Sequence, residues 1–240
     1  MVMGTLGGFP NPPAMGSGGQ SPPSPDALRV FDAILFDNDG VLVDTEHLYF
    51  RANQEALAGI GIALDAAAYV ELFLREGRGA WHLARERGLG PAEIDVLRDA
   101  RDRRYFQLVG EADVLIPGVA EIVPALARRY RLAIVTSSEP GPFARTHART
   151  GLLEHFELVL AQGDYARSKP EPDPYLRAVE RLEVPAARCL VIEDSERGLR
   201  AAKAAGLQCW VIPSALTAGG QFDAADAVLA SLDAAAARLL

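Results

Sequence analysis

Asp37 and Asp39 stand one residue apart in the stretch Asp37-Asn38-Asp39-Gly40-Val41-Leu42-Val43-Asp44-Thr45-Glu46, directly after the apolar run Ala33-Ile34-Leu35-Phe36. Two carboxylates placed where a buried strand runs out need a counter-charge. A divalent cation is the usual solution, and a hard one such as Mg2+ takes oxygen ligands. A surface turn is the competing reading, because Asn, Asp and Gly are common turn residues. Three later segments bear on the choice. Glu193-Asp194-Ser195 again closes an apolar run with two acids, although an acidic helix N-cap accounts for Asp194 by itself. Thr136-Ser137-Ser138 ends a third run. Hydroxyls beside backbone N–H groups at a helix start hold phosphoryl oxygens, and they also simply cap helices. Lys169 lies in Arg167-Ser168-Lys169-Pro170-Glu171-Pro172-Asp173-Pro174-Tyr175. The prolines stiffen that loop and pre-position the ammonium, which in isolation reads as a solvated surface lysine.

For these segments to meet, the elements between them must bring their ends together. Short apolar runs recur at Ala33 to Phe36, Leu132 to Val135, Leu158 to Leu160, Cys189 to Ile192, Cys209 to Ile212 and Ala227 to Leu229. Continuous runs of this length mark parallel strands buried on both faces. Helical spacing fills the gaps at Val119 to Tyr130, Pro142 to Arg149, Pro174 to Leu182 and Ser195 to Ala205. The alternation predicts a doubly wound α/β sheet. In an open parallel sheet the carboxyl ends of the strands face one crevice. Asp37, Asp39, Glu193 and Asp194 would then crowd one spot, which demands a cation.

One region breaks the rhythm. From Glu46 to Ala112 no strand is evident, and Leu57, Leu64, Leu72, Leu83, Ile94, Leu97 and Leu108 recur at helical intervals. Gly59-Ile60-Gly61, Gly77-Arg78-Gly79 and Gly88-Leu89-Gly90-Pro91 punctuate them, which predicts an all-helical insert of about four helices. Ile116-Pro117-Gly118 marks the return to the sheet. Pro124 is expected to kink the following helix or delay its start. The expected division is a disordered tail at 1–28, a core at 29–45 and 113–240, and a helical cap at 46–112. The tail is rich in Gly, Pro and Ser, and Met3 and Met15 are also possible starts.

Bulk properties narrow the function. A chain of 240 residues suits one sizeable domain or a domain with a smaller insert, and 49% hydrophobic residues suffice for a core. The net charge of −8 argues against nucleic acid or an anionic membrane as main partner. Nothing is apolar for long enough to span a bilayer, and the N-terminus lacks the positive start and apolar centre of a secretory signal. Cys189 and Cys209 read as small core residues, and such sparse thiols fit the cytoplasm. His47, His82, His147 and His155 show no metal-ligand grouping.

The four segments, in this order, resemble the four motifs of the haloacid dehalogenase (HAD) superfamily. They are similar to its branch with a helical cap inserted just after the first motif, home of phosphoglycolate phosphatase and β-phosphoglucomutase. The likeness covers Val30 to Leu240. Asp-x-Asp-Gly-Val-Leu-Val-Asp-Thr-Glu and Ser-Lys-Pro-x-Pro-Asp-Pro carry it, and Glu-Asp-Ser-x-x-Gly adds to it. The resemblance implies a Rossmann-like core and a Mg2+-dependent hydrolase acting through an aspartyl-phosphate. By that likeness Asp37 is the nucleophile. Asp39 is the acid for the leaving oxygen, then the base for water, and its backbone carbonyl binds the metal. Thr136 and Ser137 hold the phosphoryl group, and Lys169 neutralises charge between nucleophile and phosphate. Asp194 ligates the metal, with Glu193 as a ligand or an acceptor behind it.

An acid at Asp39 points, within that family, to phosphate esters rather than halides or phosphonates. The expected substrate is a small phosphorylated metabolite, such as a sugar phosphate or phosphoglycolate, and the expected assembly a monomer or homodimer. A sugar-phosphate mutase is the alternative, and a catalytically silent binding module a further one. The mutases carry a His a few residues into the first cap helix. Tyr49 stands there in this chain, with His47 two positions off, which favours hydrolysis. Arg75 and Arg78 are candidates for gripping a distal substrate group, against a reading as solvated helix-end arginines. Trp81 is either a wall of the substrate site or a core residue.

Overall fold

Strand β1 (Ala33–Phe36) has every side chain buried, and its central place in the sheet explains its apolar composition. β2 (Arg131–Val135) and β4 (Cys189–Glu193) pair with it on either side, both in parallel. β3 (Leu158–Leu160), β5 (Gln208–Val211) and β6 (Ala227–Val228) complete a six-stranded sheet of order β3-β2-β1-β4-β5-β6. All pairings are parallel. The computed structural model describes residues 30–240, so the tail expected over 1–28 lies outside the described residues.

Strand alternation sends Ile34, Phe36, Leu132, Ile134, Leu190 and Ile192 to one face. There they meet α5 (Val119–Ala127), Phe143 of α6 (Pro140–His147) and α9 (Leu232–Leu239). Leu35, Val135, Val191 and both cysteines go to the other face. That face is covered by α7 (Asp173–Leu182) and α8 (Glu196–Ala204). The result is the three-layered, doubly wound α/β fold expected from the runs. Cys189 and Cys209 are free, buried thiols. Pro124 sits inside α5, yet the helix starts at Val119 without delay, because Gly118 at φ +85° turns the chain into it.

Between β1 and β2 the described chain is helical. α1 (Glu46–Ala58) and α4 (Pro91–Glu111) are its long members. α2 (Ala66–Tyr69) continues as a π-helix through Val70–Arg75, and α3 (Trp81–Glu86) is short. The glycine punctuation works as read, with Gly61, Gly77, Gly79 and Gly88 at positive φ where the helices break. The insert has its own core, in which Leu57, Leu64, Tyr69, Leu72, Trp81 and Ile94 are buried together. Trp81 is thereby a core residue. No helix of the described residues is long and apolar enough to cross a membrane.

Candidate active site

The strand order reverses at β1, so the carboxyl ends of β1, β2 and β4 open onto one crevice. Phe36 is level with Ile134 and Ile192 in the ladders. One step further, Asp37 stands beside Val135 and Glu193. The Asp37 N–H continues the sheet by donating to Ile192 O at 2.9 Å, and Thr136 N–H donates to Leu160 O at 2.9 Å. Asp37 and Thr136 are therefore held by backbone before any side chain contributes.

Lys169 spans this row. Its Nζ donates to Asp37 Oδ1 and Glu193 Oε1, both at 2.6 Å, and to Val135 O at 2.8 Å. These three donations use every N–H of the ammonium. Burial disfavours its charge, but Asp37 and Glu193 outweigh that and hold Lys169 above the usual lysine range. Glu193 is wholly buried and fully engaged. Oε1 also takes the Tyr175 hydroxyl at 2.7 Å, and Oε2 takes Asp194 N, Ser195 N and Ser195 Oγ at 3.1, 3.3 and 3.0 Å. Burial opposes its charge, yet Lys169 and these donors keep its carboxyl below the usual range.

Asp37, Glu193 and Asp194 bring carboxylate oxygens within 4.8 Å of one another. One ammonium serves three acids. The deficit falls on Asp37 and Asp194. Burial, then Glu193, pushes Asp37 up to about 7 against the pull of Lys169. Burial, then Asp37 and Glu193, pushes Asp194 well above the carboxylate range. All-oxygen donors with a surplus of negative charge fit a hard divalent cation. Gly40 presses into the same place. At φ +85°, a Cβ on it would lie 2.3 Å from Asp194 Oδ2, so only glycine admits Asp194 here.

Asp39 lives in different surroundings. Among the described residues its carboxylate pairs with no ammonium; it accepts from the Thr45 hydroxyl, from Ser138 Oγ at 2.9 Å and from Asn38 Nδ2 at 3.2 Å. Thr136 is buried, and its Oγ1 accepts from Ser138 N at 3.0 Å. Ser137 Oγ is the one buried side-chain polar atom among the described residues without a hydrogen-bond partner.

Asp37, Asp39, Thr136, Ser137, Ser138, Lys169 and Asp194, but not Glu193, border a cleft of about 570 Å³ between the strand ends and the helical insert. Asp37, Asp39, Thr136, Ser137, Lys169 and Asp194 form its floor. Glu46, Tyr49, Phe73, Arg101, Tyr105 and Arg197 line the part facing the insert. Arg101 is buried and donates from Nη1 to the Tyr49 hydroxyl at 2.6 Å and to Asn53 Oδ1 at 3.0 Å. Arg78 is elsewhere: it pairs with Glu76, is exposed, and is not among the cleft-lining residues. Arg75 pairs with Glu71 at 3.2 Å and approaches Glu196 at 3.7 Å, also outside the main cleft.

The sequence reading passed over Ser138, Arg101 and Arg197. For Arg101 a signal existed, because it shares a helical stripe with Ile94, Tyr105 and Leu108, all buried. A charged residue at a core-facing position is rarely idle.

The chain is similar to known proteins over most of its length. The family model for haloacid dehalogenase-like hydrolases matches residues 31–206. The protein CbbY of Rhodobacter capsulatus is 36% identical over 219 residues, covering 87% of this chain and 96% of its own. The fructose-1-phosphate phosphatase YqaB of Escherichia coli is 30% identical over 179 residues, covering 74% and 94%. An Asp-to-Asn variant of CbbY from Rhodobacter sphaeroides, crystallised with xylulose-(1,5)bisphosphate, superposes with a TM-score of 0.69 at 34% identity, covering 84% and 94%. The chain belongs to the haloacid dehalogenase-like hydrolase family and is an enzyme of its phosphatase type.

Proposed function

We propose that this enzyme is a Mg2+-dependent phosphomonoesterase that hydrolyses a small phosphorylated sugar through an aspartyl-phosphate on Asp37. One observation carries the reading: two neighbouring carboxylates sit in different environments. Asp37 is paired with Lys169 among acids, and Asp39 is held by hydroxyl and amide donors alone. Different surroundings suit different roles.

Asp37 and Asp194, with the backbone carbonyl of Asp39, would hold Mg2+, and the ion would supply positive charge against the phosphoryl oxygens. Glu193, its oxygens already engaged, stands behind them and orients Lys169 and the start of α8. Lys169 draws charge from Asp37 and from the phosphoryl group that meets it. Thr136 and the unsatisfied Ser137 hydroxyl offer hydrogen bonds to the non-reacting oxygens. Asp37 attacks phosphorus as the ester oxygen leaves with a proton from Asp39. Asp39, now a base, takes a proton from the water that cleaves the acyl-phosphate.

The core at 29–45 and 113–240 carries this chemistry, and the cap at 46–112 covers it. Tyr49, where mutases of this branch carry His, supports hydrolysis over transfer between sugar hydroxyls. The free, buried thiols accord with a cytoplasmic enzyme. Purified protein is expected to release inorganic phosphate from a panel of sugar phosphates, sugar bisphosphates and phosphoglycolate when Mg2+ is present. Asp37→Asn is expected to abolish the release. Turnover that survives this substitution overturns the assignment.

A further inference from the structure

His147 is the one buried histidine among the described residues, and the chemistry above leaves it without a task. It lies at the end of α6, where its Nε2 meets Asn38 Oδ1 at 2.7 Å. Asn38 is the unassigned residue between the two catalytic carboxylates, and its Nδ2 faces Asp39 Oδ2 at 3.2 Å. On the other side of the ring, Nδ1 meets Thr150 Oγ1 at 3.1 Å. Asn38 is 1% exposed and His147 4%, so no bulk water substitutes for these contacts.

Donor and acceptor chemistry orders this row in one direction. An amide oxygen only accepts, so His147 Nε2 carries the hydrogen. Burial, opposed by Asp39, brings the imidazole down to about 4, so the ring is neutral and Nδ1 shares the Thr150 hydroxyl with the His147 carbonyl. The Asn38 amide, held by its oxygen, must then turn its N–H toward Asp39. A flipped amide would set oxygen against carboxylate. The loop itself does not need the side chain, because the Asn38 backbone carbonyl already accepts from Leu42 N at 2.9 Å and Val43 N at 3.1 Å.

We infer that Asn38 and His147 are positioning residues for Asp39: His147 fixes the Asn38 amide, and the amide aims the Asp39 carboxyl at the leaving oxygen. The inference rests on the reading of Asp39 as acid and base. Thr45 and Ser138 anchor the same carboxylate from the cap side and from the β2 loop. Asn38 adds the third direction, which sets the carboxyl plane.

The test compares kcat/KM for p-nitrophenyl phosphate and fructose 1-phosphate. The nitrophenolate departs without a proton, whereas the sugar alkoxide needs one from Asp39. His147→Leu and Asn38→Leu are each expected to lower kcat/KM on fructose 1-phosphate about 10-fold or more, and on the aryl ester less than about 3-fold. His147→Gln, whose amide donates from nearly the same place as Nε2, is expected to restore most of the loss. A merely structural role would depress both substrates together and gain nothing from Gln. Equal losses on the two esters in variants that melt like the parent overturn the inference. Should His147→Leu fail to fold, Asn38→Leu and the Gln variant decide by the same comparison. Asp39→Asn separates the two layers. If its loss is equal on both esters, the acid–base reading of Asp39 fails; if it is selective and the His147 and Asn38 losses are not, only the positioning inference fails.

Discussion

Lys169→Met keeps the length and packing of the side chain and removes its charge. The ammonium is 6% exposed as a residue and sits between Asp37 Oδ1, Glu193 Oε1 and Val135 O. Removing one partner of a buried ion pair costs about 3–5 kcal/mol, because the other charge stays behind uncompensated. The Val135 carbonyl loses its Lys169 donor as well, at about 1–3 kcal/mol for an unsatisfied buried group. Relaxation and protonation of the cluster offset part of this, so a net loss of about 4 kcal/mol is expected at pH 8 without metal. For a domain of this size each kcal/mol moves Tm by about 2–4 °C, which gives a drop of roughly 8–16 °C.

The pH dependence has a definite sign. With the lysine present, burial first and Glu193 next already push Asp37 up to about 7. Without the lysine Asp37 and Glu193 hold protons more tightly in the folded chain, so acid relieves the variant. The deficit between parent and variant should therefore be larger at pH 8 than at pH 5. Thermal melts followed by circular dichroism in EDTA at both values measure it. A drop smaller than about 3 °C at pH 8, or a deficit equal at the two values, would refute the claim that Lys169 balances this cluster.

Two other expectations concern the cleft wall. Glu46 accepts from the Tyr69 hydroxyl, and its carboxyl is raised from 4.5 to about 7 by burial first and by Asp39 next. A raised carboxyl costs nothing below its unfolded pKa and its full amount above the folded one, at most about 3 kcal/mol here. Glu46→Gln should thus gain stability relative to the parent as pH rises from 5 to 8 in urea titrations, and a difference that stays flat rejects the buried charge. The two arginines divide in a second experiment. Arg101→Met should raise KM about 10-fold or more, the loss of one charged hydrogen bond, with a smaller change in kcat, while exposed Arg78→Ala stays within about 2-fold. The opposite order in steady-state kinetics would return the substrate grip to Arg78.

What was legible in the chain follows from what each signal depends on. The strands were readable because burial on both faces forces an unbroken apolar run, as in Ala33-Ile34-Leu35-Phe36. The acids at their ends were readable because charge after such a run is costly. Thr136-Ser137-Ser138 was only half readable. Three consecutive hydroxyls differ in where the loop turns them: Ser138 reaches Asp39, Thr136 accepts from the backbone, and Ser137 is left without a partner. The arginines of the insert were harder still. Arg78 is a candidate in the sequence for gripping a distal substrate group, but Gly77 and Gly79, both at positive φ, place it on an exposed turn beside Glu76. Nor does any local pattern announce that α2 runs on as a π-helix or that Asn38 meets His147, 109 positions away.

The two ends of the cleft are built in different ways, and this bears on how such an enzyme acquires its substrate. Asp37, Thr136 and Glu193 continue or close the central strands, so the ladder itself sets their spacing. A change at that end disturbs the sheet core as well as the reaction. Tyr49, Phe73 and Arg101 belong to the insert, which meets the rest through side-chain ties rather than a strand ladder. Arg149 donates to Gly110 O at 3.2 Å, Arg75 reaches Glu196 at 3.7 Å, and Arg197 donates to Phe73 O at 3.4 Å. Each tie is long, exposed or single, whereas Lys169 makes three short bonds in the floor. Substitution in the insert can therefore reshape the wall that meets the substrate while the floor of the cleft stays fixed. The same asymmetry explains why four short segments sufficed to read the reaction, while the substrate depends on pairs such as Tyr49 and Arg101 that only the packed helices create.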